Sequence, residues 1–225
     1  MSPALCLSQN PEADALLSRS PLALLIGMLL DQQVPMEKAF TGPYELARRL
    51  GHEPTAEEIA EYDTDALVEV FGRRPAIHRF PGAMAKRVQQ LCRYLCDHYD
   101  GDPEAIWRGV TDGAELLDRL RRLPGFGQQK AQIFLALLGK QLGVRPDGWR
   151  EAAGPYGEDG SLRSVADVTG PESLAAVREY KRAAKQAAKA GTARRTKTPH
   201  TETDQEGTDQ TGTTQTASQK AGSSA

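Results

Sequence analysis

Leu123-Pro124-Gly125-Phe126-Gly127, followed twenty residues after its last glycine by Asp147, is the stretch that decides how this chain folds. Two glycines one residue apart, entered by a proline, predict a tight turn whose backbone comes close to another backbone. Residues 113–122 before the turn and 128–141 after it both carry apolar side chains at helical spacing. The glycines therefore belong to a hairpin between two helices, with N–H groups at the start of the second helix left open at the turn. Oriented donors and the positive end of a helix dipole suit a phosphate. No particular base is required, so the hairpin reads as a clamp for a nucleic-acid backbone.

Outward from the hairpin the helical spacing continues almost throughout. It predicts helices over residues 12–18, 21–30, 35–50, 55–61, 64–71, 82–98, 103–106, 113–122, 128–141 and 171–190. Thr55 with Glu58 three residues later forms a capping-box pattern, and Asp102-Pro103 puts proline at a first helical position. Residues 21–30 and 134–138 are apolar nearly all round, as expected of helices at the centre of a bundle. Alternating β-branched runs are missing, so the fold class is all-α with more than one helical layer. Residues 145–162 contain four glycines and two prolines and read as a long irregular segment.

The hydrophobic fraction of 39% is low, and the deficit is local. From Gly191 onward there is no large apolar residue, so residues 191–225 read as a disordered polar tail that cannot offset its ordering entropy. The formal net charge of −2 is uneven: residues 178–197 hold eight Lys or Arg against one Glu. That basic segment, beginning Arg178-Glu179-Tyr180-Lys181-Arg182, is either a source of phosphate contacts or a solvated Ala/Lys helix. Arg73-Arg74 and Lys86-Arg87 pose the same pair of alternatives. The three cysteines, Cys6, Cys92 and Cys96, give no disulfide framework and no CxxC, and Cys92 and Cys96 suit a helix core. The four histidines show no metal-ligand spacing. No apolar run has transmembrane length and no signal segment is recognisable, so a cytoplasmic protein is expected, nucleoid-associated in a bacterium.

The Leu-Pro-Gly-x-Gly turn between helices, with an aspartate after the second one, resembles the helix-hairpin-helix (HhH-GPD) DNA glycosylase superfamily, which includes endonuclease III. The block Leu22 to Gln33 is similar to the family's first barrel helix, which ends in a glutamine-containing turn. The resemblance covers roughly residues 20–180. It implies one domain over 1–190 with two helical subdomains: a barrel, 22–138, that includes the hairpin, and a second half from 1–21 plus 139–190. A DNA-binding cleft would lie between them with Asp147 at its mouth.

Releasing a base passes through an oxocarbenium-like sugar, which needs a fixed carboxylate and an activated water. The nucleotide must first be flipped out of the duplex. The resemblance makes Asp147 the catalytic candidate, where helix-start N–H groups would keep its carboxylate charged; the plainer alternative is a turn aspartate. It assigns Gly125, Gly127, Gln128 and Lys130 to DNA binding, and Gln32 or Gln33 to the space left by the flipped base. Two polar residues closing a helix are the plainer alternative for the glutamines. Trp149 is the aromatic expected beside a base pocket, ahead of Tyr44, Trp107 and Tyr156, although each also suits the core. Relatives that also cut the strand use a lysine where this chain has Gln129. Lys130 is one residue on, about 100° round the helix. The expectation is thus a monofunctional DNA N-glycosylase of base excision repair, without lyase activity. No metal or other cofactor is expected, since the absence of cysteine after Cys96 excludes the iron–sulfur loop of several relatives. The partner would be double-stranded DNA, with no membrane, and the protein a monomer. The alternatives are a catalytically silent DNA-binding protein of the same build and a helical protein-interaction module.

Overall fold

The computed structural model describes residues 5–195. Its ten α-helices are α1 (Pro11–Arg19), α2 (Pro21–Leu30), α3 (Met36–Leu50), α4 (Ala56–Glu61), α5 (Thr64–Gly72), α6 (Pro81–Tyr99), α7 (Gly113–Arg121), α8 (Gln128–Gln141), α9 (Trp149–Ala153) and α10 (Pro171–Arg195). Short 3-10 turns occupy Pro103–Ile106, Gly154–Tyr156 and Val165–Asp167. There is no β-strand among the described residues, only one isolated bridge between Asp112 and Asp147. The fold is all-α, as the spacing requires.

The helix starts have identifiable causes. Asn10, Ser20, Thr55, Asp63 and Asp112 each accept a backbone N–H of the following first turn, which satisfies a donor the helix itself cannot. At α2 every residue from Leu22 to Leu30 is buried, so this helix is the centre of the unit. Gly27 lets α3 come close, because a Cβ there would lie 2.7 Å from the Phe40 ring. Phe40, Phe71 and Phe134 are among the largest fully buried side chains.

Residues Met1–Gln186 belong to one compact unit. Its single hydrophobic cluster runs from Leu5 and Leu7 to Leu174 and Val177, and so includes residues on both sides of the boundaries expected at 22 and 138. The second unit, Ala187–Ala225, holds the end of α10. The helix continues to Arg195, five residues beyond the predicted end, through Gly191 and Thr192 into Ala193-Arg194-Arg195. The rest of the expected polar tail, 196–225, lies outside the described residues.

Residues 145–162 are more ordered than their glycine content suggests. Asp147 donates its N–H to the Thr111 carbonyl at 2.8 Å and accepts from the Gly113 N–H at 2.7 Å. A Cβ at Gly113 would sit 2.6 Å from the Trp149 backbone, so the glycine is what lets this segment lie on the start of α7. Further on, Lys140 pairs with the buried carboxylate of Asp167 at 2.6 Å, and Asp167 also accepts from Arg163 N–H, Ser164 N–H and Ser161 Oγ. The bonds to Thr111, Gly113 and Lys140 are long-range and local periodicity does not report them, whereas those from residues 161–164 to Asp167 are local.

Candidate functional site

The turn between α7 and α8 is built from both directions. Leu123 and Phe126 are buried, Phe126 N–H donates to the Leu123 carbonyl, and the Phe126 ring meets Phe134 edge-on at 5.9 Å. Gly125 has φ +82°, and a Cβ there would lie 2.4 Å from Cδ1 of Leu29, so the turn rests on the end of α2. Gly127 differs: its φ is −81°, it precedes α8 without a capping side chain, and nothing lies within 4 Å of where its Cβ would be. The N–H groups of the first turn of α8 thus lack a capping side chain, beside exposed Gly127, Gln128 and Gln129.

Lys130 does not project from this turn onto open surface. Its ammonium turns inward and donates to the carbonyls of Met28, Leu29 and Asp31, the last at 3.4 Å. These oxygens form the negative end of α2, which attracts a cation. Burial lowers the Lys130 pKa from its ordinary 10.5 to about 8; the Asp31 carboxylate opposes this and Arg87 adds to it. An amine of that kind holds a proton at neutral pH and gives it up more easily than a surface lysine.

Lys130 borders a recess. Its walls are the end of α2 (Met28, Asp31), the first turns of α8 (Gln129, Lys130, Ile133), Pro155 and Tyr156, Arg163, and Tyr180, Lys181 and Ala184 of α10. The volume is about 480 Å³, within the range of small-ligand sites. One carboxylate, three cationic side chains and two phenols therefore meet behind the hairpin. Gln129 Nε2 donates to the Tyr156 hydroxyl at 2.8 Å, tying α8 to the opposite wall. Gln129 and Lys130 both line the recess, so the rotation between them along the helix does not separate them.

Asp147 is elsewhere. The bridge to Thr111 and Gly113 holds it at the start of α7, and the hairpin is at that helix's other end. With Val110, Thr111, Val144, Arg145 and Pro146 it lines a separate open recess of about 370 Å³. Its side chain is exposed and does not border the larger recess. Trp149 is a core residue: it is 7% exposed, its ring fills the space where a Cβ at Gly139 would be, 2.5 Å away, and the Arg150 guanidinium covers it. The aromatic residues at the recess are Tyr156 and Tyr180 instead.

The two glutamines after α2 have different surroundings. The Gln32 amide donates to the Leu29 carbonyl at 2.7 Å and accepts from Arg87 Nη1 at 2.9 Å. Gln33 is exposed, with φ +56° and no side-chain hydrogen bond. Of the residues that sequence spacing missed, Asp31 had one signal, being the first polar position after an apolar helix. Arg163, Tyr180 and Lys181 had none that pointed to a shared wall. No group of three or more His, Cys, Asp or Glu suited to a metal ion occurs among the described residues. Likewise no single helix among them is long and apolar enough to cross a membrane.

Comparison with models of known families, with curated proteins and with solved structures finds no match.

Proposed function

We propose that this chain is a DNA-binding protein of base excision repair that acts as a monofunctional N-glycosylase, receiving an extruded nucleotide in the recess behind the α7–α8 turn. The observation that carries this is the junction of two features: a glycine turn that leaves the start of α8 uncapped, and a cavity of about 480 Å³ beginning at Gln129 and Lys130 of that same helix. The turn offers donors to a phosphate. The recess offers Tyr156 and Tyr180 to a base and Asp31 as the carboxylate beside the sugar. Hydrolysis takes up one water and yields a free base and an abasic sugar. Asp31 thereby takes the role that the resemblance assigns to Asp147, which lines a different recess. The reaction stops at base release, because the Lys130 ammonium is engaged by three carbonyls rather than presented to the sugar.

The test is base release from a panel of lesion-bearing and mismatched duplexes. Wild type and Asp147→Asn should release base, Asp31→Asn should be slower by at least about a hundredfold, and borohydride should trap no protein–DNA adduct. Release abolished by Asp147→Asn and spared by Asp31→Asn would overturn the assignment. A silent DNA-binding protein is the second reading, favoured by the distance along α7 between Asp147 and the hairpin. Duplex binding without release on any substrate would support it.

A further inference from the structure

Between Glu69 and Asp97 the chain carries six Lys or Arg and no acidic residue, in a protein whose net charge is −2. Arg73, Arg74, Arg79, Lys86 and Arg87 are all exposed. Among the described residues none of the five forms an ion pair with a carboxylate, whereas Arg19, Arg48, Arg108 and Arg121 elsewhere on the surface all do. Leaving neighbouring cations unneutralised costs mutual repulsion, which an external polyanion would relieve. Phe80, one of the few large apolar side chains exposed, sits among them with the Arg79 guanidinium 5.2 Å from its ring centre.

This patch is fixed to the turn after α2. Arg87 holds the Gln32 amide, and the buried His78 ring bridges the two loops. His78 Nε2 meets the Gln32 carbonyl at 2.8 Å, and Nδ1 accepts the Phe80 N–H at 3.0 Å. A carbonyl only accepts and an N–H only donates, so the ring is neutral with its proton on Nε2. Arg49 ties the same loop from behind, through the carbonyls of Val70 and Pro75. Arg87, the loop that carries Arg73, Arg74 and Arg79, and the glutamine turn are thus tied together along one edge.

We infer that this edge is a second docking surface for duplex DNA, in which Arg73, Arg74, Arg79, Lys86 and Arg87 meet backbone phosphates and Gln33, not Gln32, presents its amide to the bases. Gln32 is committed at both ends of its amide, whereas Gln33 has nothing to give up on binding. The inference rests on the DNA-binding reading above and concerns which face carries the charge. His78 is a positioning residue that keeps the two loops in register.

The experiment measures affinity for a plain 20-base-pair duplex between 50 and 200 mM salt. Each phosphate contact adds about 0.9 to the slope of log K against log salt. The triple variant Arg73→Ala/Arg74→Ala/Arg79→Ala should lower that slope by about 2 to 3, with an unchanged melting temperature. Arg19→Ala/Arg48→Ala/Arg121→Ala should leave the slope as it was. Gln33→Ala should weaken binding without altering melting, while Gln32→Ala should lower the melting temperature. A wild-type slope in the first triple variant overturns this inference alone, and failure of the wild type to bind any duplex overturns the DNA reading with it. Tighter binding to phosphatidylglycerol vesicles than to the duplex would also overturn it.

Discussion

The two ends of α7 make a useful contrast. At one end the Gly125–Gly127 turn leads into α8, whose Gln129 and inward-facing Lys130 line a recess with a carboxylate and two phenols. At the other, Asp147 is held by a pair of backbone bonds to Thr111 and Gly113 and faces open solvent. Both ends are firmly built, yet only one combines burial with convergent polar groups. An aspartate whose main chain is fixed and whose side chain has no hydrogen bond or ion pair among the described residues gives a site little to work with. The backbone bridge accounts for the position of Asp147 without any chemistry.

The largest way to break the contrast is at Trp149. As a core residue it should cost about 3–5 kcal/mol when changed to Ala, read as lower stability in chemical denaturation. A loss of base selectivity with stability intact would instead return it to a pocket. Next is pH. The folded pKa of Lys130 is about 8 against an ordinary 10.5. Between those values the unfolded chain binds the proton that the folded chain has released, so stability rises with pH. The rise approaches about 3 kcal/mol and fades as pH falls from 10.5 to 8. Unfolding at pH 8 and pH 10.5 should show that gain in wild type and lose it in Lys130→Met. The smallest effect separates the two glycines. Gly125→Ala meets positive φ and the Leu29 side chain and should cost about 1–2 kcal/mol. Gly127→Ala, with open space and ordinary φ, should change stability by less than about 0.5 kcal/mol. Equal losses at both would show that the turn is packed alike on its two sides.

Much of this fold was legible in the sequence because it is local. The apolar run of α2, the helix starts at Thr55 and Asp102, and the turn at 123–127 all express preferences of a few consecutive residues. Where long-range contact decides, spacing was silent. Residues 145–162 looked irregular, since the partners that order them, Gly113, Gln132 and Lys140, lie upstream. The recess is assembled from α2, α8 and α10, so Asp31 and Tyr180 share a wall across about 150 positions. Lys130 reads from the sequence as meeting a phosphate, or simply solvent, because it is charged and beside the hairpin. Its true direction depends on carbonyls a hundred residues earlier.

Helix α8 joins these regions into one mechanical part. It starts at the glycine turn, lends Gln129, Lys130 and Ile133 to the recess, cradles the Trp149 ring at Gly139 and is pinned through Lys140 to Asp167. Fourteen residues make a rod of about 21 Å. A load applied where it begins is therefore delivered to its far anchor rather than absorbed along the way, and whatever grips the turn also pulls on the wall formed by Tyr156.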